Sequence, residues 1–315
     1  MAKAKAIREL DCTADAREWA KKVLDVRFGE VAAQRDSALD FSDVDGVHDM
    51  RVAARRLRSA MRDFRPLADK GQLKKLGKEL KQFADALGEV RDQDVAIAAL
   101  KELRSKARNG RFKKGIEKLS EERRAVRECA RRHLTEVLAD GEIEKFRERF
   151  VIALEKAFTQ KGAGRAVSFH EAGRSCVRAG LEDLLDLSTS IYQPSNNDGL
   201  HRLRVATKRL RYAIELFVPC WGEAITPFAD EMAKMQSFLG EVHDCDVWIQ
   251  SLGRRLIRGE KNEENDADER AAAPWLLSEF TDKRNTEYRS ALGLWTSWEN
   301  SGFIENMRAT VLHSD

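Results

Sequence analysis

Residues 47–64, VHDMRVAARRLRSAMRDF, gather one histidine and five arginines into a single segment with helical periodicity. At about 100° per residue, the histidine and four of the arginines fall on one stripe of the helix. The members of this stripe are His48, Arg51, Arg55, Arg58 and Arg62. Like charges three and four residues apart on a helix cost about 0.2–0.5 kcal/mol per pair. The stripe therefore requires a counter-charge, either acids from another helix or an anion from outside the chain.

The remaining residues of this segment divide into two further faces. The apolar side chains between Met50 and Phe64 lie beside the basic stripe and form a normal core-facing surface. Arg56, Asp49 and Asp63 fall on the third side, which we interpret as a solvated face. The pattern separates Arg55, a candidate site residue, from Arg56, which we expect in solvent.

The same segment occurs twice in the chain. LHRLRVATKRLRYAIELF, residues 200–217, matches it at nine of 18 positions, and LGEVHDCDV, residues 239–247, matches LGEVRDQDV, residues 87–95, at seven of nine. The two pairs are offset by 153 and 152 residues, so both belong to one duplication. The basic stripe of the second copy consists of His201, Arg204, Lys208 and Arg211.

The second repeated motif supplies internal acids. Arg91 and Asp94 share the apolar face of their helix, as do His243 and Asp246 in the other copy. A charge on a buried face requires a partner, so we expect Asp94 and Asp246 to hydrogen-bond the basic stripes. Asp92 and Asp244 point elsewhere and are expected to have a weaker orienting role at the rim. The acids are fewer than the cations, which favours an external anion over a purely internal network of salt bridges.

The overall composition is typical of a helical protein with reduced thiols. Of 315 residues, 42% are apolar and 35% are charged, and 56 Lys and Arg oppose 53 Asp and Glu. A net charge of +3 alone does not indicate a polyanionic partner, so the inference depends on where the charges lie. The five cysteines are widely spaced and form no CxxC pair, which favours free thiols and a cytoplasmic location. No run of 18 apolar residues predicts a membrane span.

Helical periodicity extends along the whole chain, and we predict an all-α protein without strands. The duplication predicts two helical bundles, 1–160 and 165–315, related by a pseudo-two-fold axis, with KGAG at 161–164 as the boundary. The acidic segment GEKNEENDADER, residues 259–270, has no apolar face and is predicted to be a solvated or disordered loop.

The repeated H-x-x-R-V-x-x-[RK]-R-L-R pattern, followed by L-G-x-x-[RH]-D-x-D-V, resembles the CHAD family, the conserved histidine α-helical domains. The resemblance covers essentially the whole chain and involves both copies of both motifs. It implies two antiparallel four-helix bundles and binding of inorganic polyphosphate along a basic central groove, often at polyphosphate granules. Some relatives carry a fused triphosphate-tunnel domain; we expect none here, because the sequence shows no ExExK-type segment.

Polyphosphate suits these residues chemically. Arg presents a planar fork that takes two phosphate oxygens, and Lys adds a point charge. The histidines are expected to donate hydrogen bonds and to gain charge below about pH 6.5, so that binding tightens as the pH falls. Lys21 and Arg174 occupy matching positions on the first helix of each half and are expected to line the groove from the other side. Some of the basic residues on later helices should join them: Arg123, Arg127, Arg131, Lys283 and Arg284.

Three other functions fit parts of the pattern. His48 with Asp92 and Asp94, or their counterparts, could hold a metal for a phosphohydrolase acting on polyphosphate or nucleotides. The surrounding arginines disfavour a divalent cation, so we expect no catalysis, metal or cofactor. Nucleic acid is expected only as a non-specific competitor, because the stripe has no interleaved aromatic residue apart from Tyr212. The third alternative is a pure scaffold, in which the charges serve only folding.

Overall fold

The computed structural model describes residue 7 and residues 10–43, 45–159, 166–259 and 267–313, and this part of the chain is helical throughout, without strands. The first half contains α1 (Ala16–Ala32), α2 (Arg35–Leu39), α3 (Gly46–Asp63), α4 (Lys70–Lys106), α5 (Gly110–Val137) and α6 (Glu142–Thr159). The second half contains α7 (Phe169–Asp186), α8 (Asn197–Trp221), α9 (Thr226–Gly259), α10 (Ala267–Ser301) and α11 (Phe303–His313). The predicted all-α class is confirmed, and none of the described helices is long and apolar enough to cross a membrane.

One segment differs from the sequence prediction. The acidic segment 259–270 was expected to be a loop, but α9 extends to Gly259 and α10 already begins at Ala267. Ala272 and Ala273, which follow directly, are buried, so packing in this turn supports the helix despite its acidic start. Residues 260–266 lie outside the described residues, as does the predicted KGAG boundary.

The two halves begin side by side. Asp15 caps α1 by accepting a hydrogen bond from the backbone N–H of Arg17, and Ser168 caps α7 in a capping box with Glu171. The two caps face each other, because Ala16 N–H donates to the Val167 carbonyl and Phe169 N–H donates to the Ala14 carbonyl, each at 2.9 Å. The equivalent helices α1 and α7 therefore start next to each other.

One apolar core runs through both halves. Phe28 stacks on Phe150 in the first half, and the rings of Phe64 and Phe217 meet edge to face at 5.8 Å. Phe64 and Phe217 are equivalent positions at the ends of the repeated segments, so equivalent residues of the two copies meet here. The two basic helices, α3 and α8, consequently pack against each other.

A second apolar cluster joins the halves farther along the long helices. Leu100 of α4, Ile116 of α5, Trp248 of α9 and Leu276 of α10 are buried together there. The repeated LGEV[RH]D[QC]DV motif lies on α4 and α9 between this cluster and the main core. Both ends of the motif are thereby held by packing, which fixes the position of its polar side chains.

Close packing of α7 on α8 depends on Gly173. A Cβ atom there would lie 2.7 Å from the ring of the buried Phe217. We expect Gly173→Ala to lower the free energy of unfolding by about 1–3 kcal/mol through overpacking. Gly77→Ala in α4 is the matched control, since nothing lies within 4 Å of its Cβ, and it should stabilise by about 0.5–1 kcal/mol through helix propensity. Urea unfolding measures both, and equal effects of the two variants would contradict the expectation.

Candidate anion-binding site

The basic stripes of the two halves meet where α3 crosses α8. The guanidinium of Arg62 reaches the Arg209 carbonyl across this crossing, at 3.4 Å. The positive charges that act on Lys208 are those of Arg204 and Arg209 on its own helix and of Arg55 and Arg51 on α3. We call Arg51, Arg55, Arg204 and Lys208 the central cation cluster. It contains residues of both copies, and the charge of Arg55 acts on the equivalent Lys208.

The central cation cluster is only partly neutralised by protein carboxylates. Arg51 contacts Asp92 at 3.5 Å, and Asp244 is the acid that acts on Arg204. Arg55 and Lys208 make no ion pair with any described residue, and neither does Arg91 at the end of the cluster. The Nε atoms of Arg55 and Arg204 are buried without a hydrogen-bond partner. The cluster thus holds donors and positive charge that the described protein does not satisfy.

This crowding of cations changes their protonation. Burial, followed by the charges of Arg204 and Arg55, lowers the pKa of Lys208 from 10.5 to about 8. Burial also lowers the pKa of the Arg55 and Arg204 guanidinium groups, which remain charged. Lys208 is therefore the one member of the central cation cluster whose charge changes within an accessible pH range.

The histidines extend the central cation cluster at its ends. The Nδ1 atoms of His201 and His243 lie 3.3 Å apart, so at least one ring is neutral and accepts a hydrogen bond. Burial and the charge of Arg204 lower the pKa of His243 to about 4. Burial and Arg91 likewise lower the pKa of His48, and burial and Arg204 lower that of His201. The lowered pKa values move the expected gain of charge by these rings to a lower pH in the free protein.

The orienting acids differ from the sequence prediction. Asp94 does not pair with the basic stripe but accepts from Arg127 of α5 at 3.4 Å. Asp246 accepts from Arg284 of α10 at 2.6 Å. Asp92 and Asp244, expected only at the rim, are the carboxylates that face Arg51 and Arg204. The reason is geometric: the neighbouring long helices α5 and α10 cover the face of the motif that carries Asp94 and Asp246.

The Asp246–Arg284 pair also fixes the start of the basic helix α8. Arg284 donates to the Pro194 carbonyl and to the Asn197 side chain, and the exposed fractions of its side chain and that of Asp246 are only 12% and 9%. We expect Asp246→Ala to cost about 3 kcal/mol, because it leaves a buried guanidinium without its counter-charge. Asp94→Ala, at the more exposed equivalent pair, should cost about 1 kcal/mol or less. Denaturant unfolding tests the ranking, and a larger loss in Asp94→Ala would contradict it.

Several predicted site residues lie away from the central cation cluster or have partners of their own. Lys21 pairs with Glu155 at 3.1 Å, and Arg211 pairs with Glu215 at 2.7 Å. Arg58 is exposed to solvent. Arg174 lies one turn after His170, near Trp221 and the far end of α8.

The end of α3 contains a buried acid that the sequence prediction placed in solvent. Arg62, a predicted site residue, turns toward Asp63 at 2.6 Å. The Asp63 side chain is only 6% exposed, and burial raises its pKa to about 6 against the opposing effect of Arg62. Arg56 is also half-buried, beside Tyr212 and Glu215 of α8. The assignment of Asp63 and Arg56 to a solvated face was wrong, because α7 and α8 cover this side of the helix.

The basic residues of the later helices have mostly structural contacts. Arg127 and Arg284 hold the motif aspartates, and Lys283 pairs with Glu241 at 2.7 Å. Arg131 lies over the ring of Phe41 at 4.7 Å and Arg123 over that of Trp248 at 5.0 Å.

The sequence analysis did not include Tyr212 among the site residues, although it is buried and acts electrostatically on Arg55. Its position next to the basic stripe of α8 was the only sequence feature that indicated this location. Within the described residues, no three His, Cys, Asp or Glu side chains are grouped to hold a metal ion.

The fold is a duplicated helical domain with a partly compensated cation cluster where α3 crosses α8. The chain belongs to the CHAD domain family, whose family model matches residues 22–253. It is similar to the crystal structure of the CHAD domain from the plant Ricinus communis, with 20% identity, a TM-score of 0.66 and coverage of 99% of this chain and 96% of the other.

A second solved structure has the same architecture. PptA from Streptomyces chartreusis matches with 12% identity, a TM-score of 0.70 and coverage of 90% of this chain and 100% of the other. At these identities the likenesses show the fold alone. A comparison with curated protein sequences found no significant match.

Proposed function

We propose that this protein binds inorganic polyphosphate without catalysis, through the central cation cluster and the histidines beside it. The observation that carries the proposal is the mutual repulsion of two equivalent cations from the two halves, Arg55 and Lys208, both half-buried and neither ion-paired with a described carboxylate. An anion with charge along its whole length can contact both copies at once. Membership of the CHAD family supports the same ligand, because polyphosphate binding is a general property of that family.

The roles within the proposed site follow from side-chain chemistry. Arg55 and Arg204 direct their buried, unsatisfied N–H groups to phosphate oxygens, and charge-assisted bonds of this kind are the strong ones. Lys208 contributes a compact charge between them. Asp92 and Asp244 hold Arg51 and Arg204 in place at the rim. His48, His201 and His243 enter as neutral donors, which gain charge when a bound anion raises their pKa.

A binding titration with polyphosphates of defined length tests the proposal. We expect long chains to bind tightly, with an affinity that falls with salt, and to displace duplex DNA of equal charge at moderate salt. Failure of polyphosphate to displace DNA would favour general nucleic-acid binding instead. Phosphate release measured in the same samples with and without Mg²⁺ separates binding from hydrolysis, and Mg²⁺-dependent release would contradict a non-catalytic role.

The proposed location is the cytoplasm, at polyphosphate granules. A fluorescent fusion of the protein should colocalise with granules and become diffuse when the cell contains no polyphosphate. If the distribution of the fusion protein in the cell does not depend on polyphosphate, the proposed granule location is contradicted. Binding in solution is tested separately by the titration.

A further inference from the structure

A cavity of about 230 Å³ lies between α7, α8 and the end of α3. Its charged lining consists of Arg62 and Asp63 from α3, Asp183 from α7 and Arg209 from α8. Asp183 and Arg209 are exposed, so the cavity is open to solvent. No member of the central cation cluster is among the described residues that line it. The cavity is therefore a separate feature of the molecule from the proposed polyphosphate site.

The duplication relates this cavity to a filled place in the first half. The N-caps of α1 and α7 are 153 residues apart, which is also the offset between the two basic segments. Gly180, which lines the cavity, therefore corresponds to Arg27, and Asp183 corresponds to Glu30. The two copies thus differ at this place by a whole arginine side chain, while each keeps an acid one turn farther along the helix.

In the first half, the Arg27 side chain occupies the equivalent space. It donates to the Glu30 carboxylate at 2.7 Å, and each of the two side chains is only 8% exposed. Arg27 and Arg56, the counterpart of Arg209, line a remaining volume of only about 30 Å³. The second half keeps the acid and the outer arginine, but Gly180 has no side chain to fill the space. The larger cavity there has room for a guanidinium group that the chain itself does not supply.

The charged groups around the cavity are not fully paired with one another. Arg62 donates through Nε and Nη2 to the same oxygen of Asp63, Oδ1, at 2.8 and 2.6 Å. The other oxygen, Oδ2, is buried without a hydrogen-bond partner among the described residues, and only 6% of the Asp63 side chain is exposed. Asp183 and Arg209 form no ion pair with any described residue. The cavity thus presents an unsatisfied buried acceptor, a second carboxylate and an unpaired guanidinium.

We propose that this cavity binds a small zwitterionic guanidino acid. The guanidinium of the ligand takes the place that Arg27 has in the first half and donates to Asp183 and to Asp63 Oδ2, after a small turn of the covered Asp63 carboxylate. The carboxylate of the ligand pairs with Arg209. A ligand with both charges fits best, because the two arginines and two aspartates of the lining already sum to zero. The inference does not depend on polyphosphate binding, since the two sites share no residue.

The test is a titration of the full chain with β-guanidinopropionate, followed by ligand-observed NMR. We expect saturable binding with a Kd of about 1 mM or tighter, as is usual for a ligand of this size. Propylguanidine lacks the carboxylate and pentanoate lacks the guanidinium. Each should bind at least about tenfold more weakly, because each loses one charge-assisted pair.

Substitutions at the two ends of the cavity test the orientation of the ligand. Asp183→Asn should weaken β-guanidinopropionate binding by about tenfold. Glu182→Gln is the matched control, because it removes an exposed carboxylate from the next position of the same helix, and it should bind as the original protein does. Arg209→Gln should weaken β-guanidinopropionate by about tenfold without weakening propylguanidine.

Gly180→Arg restores the side chain of the first half and should abolish binding. A Cβ atom there would lie 3.3 Å from Leu210 Cδ1, so this neighbour must shift slightly. Circular dichroism checks the fold of this variant, and the Asp183→Asn result decides the question if it does not fold. The proposal is overturned by an absence of saturable binding up to about 10 mM, by unchanged affinity in Asp183→Asn, or by undiminished binding in folded Gly180→Arg.

Discussion

Replacing Arg55 and Lys208 together by glutamine is expected to weaken polyphosphate binding by at least about 100-fold while the fold is retained. Each residue would contribute charge-assisted bonds of about 1.5–3 kcal/mol to a phosphate chain. Neither has a carboxylate partner among the described residues that would be left unpaired. Removing two neighbouring cations relieves repulsion, so the melting temperature of the free protein should stay constant or rise. Fluorescence titration and thermal unfolding of the same samples provide both values.

The matched control is Arg178→Gln with Lys234→Gln. This variant loses the same two charges, but from exposed pairs with Glu182 and Glu231 on other helix faces. It should bind polyphosphate nearly as the original protein does. Equal losses in the two variants would show that only net charge matters, and unfolding of the Arg55 and Lys208 variant would support the scaffold interpretation.

Polyphosphate affinity is expected to fall by about tenfold between pH 7.5 and 9.5, with Lys208 as the cause. In the free protein its pKa is about 8, and a bound polyanion raises it, so binding takes up a proton wherever the pH lies between the two values. Below pH 7.5 Lys208 is already charged and its contribution to the pH dependence ends. Calorimetry at pH 8.5 in buffers of different ionisation enthalpy should register this proton uptake directly.

Lys208→Arg is the control for the pH dependence. The equivalent position in the first half is Arg55, so the crossing accommodates arginine, which stays charged throughout this range. Its affinity profile should be flat from pH 7.5 to 9.5 at a level similar to that of the original protein at pH 7.5. A profile that still falls in Lys208→Arg would contradict the assignment to Lys208.

The free protein should show the opposite trend in stability. The unfolded lysine has its ordinary pKa of 10.5 and binds a proton more readily than the folded one. Stability therefore rises as the pH increases from 8 toward 10.5. Binding and stability thus change in opposite directions over the same range, which separates a ligand effect from general unfolding.

The arrangement of the stripes could be predicted from the sequence because it depends on one helix at a time. A phase of 100° per residue places Arg51 and Arg55 on one side of α3, and the duplication places Arg204 and Lys208 on α8 in the same way. Sequence also indicated that protein acids would not neutralise this surplus, and Arg55 and Lys208 indeed have no ion pair among the described residues.

The partners of these residues could not be predicted, since they depend on which helix covers which face. Asp94 and Arg91 share a helix face in the sequence pattern, yet Asp94 meets Arg127 of the long neighbouring helix α5. Asp63 looked solvent-facing from its phase, but α7 and α8 bury it. The low pKa of His243 likewise requires the burial and the charge of Arg204, neither of which a single-helix pattern contains.

The central cation cluster takes equivalent residues, Arg55 and Lys208, from the two copies, so the proposed groove has no intrinsic direction. A nucleic-acid strand runs from a 5′ to a 3′ end, whereas inorganic polyphosphate reads the same from both ends. A chain can enter from either side and meet the same sequence of groups, apart from the exchanges of Arg55 for Lys208 and of Arg91 for His243. Every phosphate is also chemically equal to the next, so the number of equivalent registers grows with chain length. Affinity per chain should then increase with length even though the contacts at the centre stay the same.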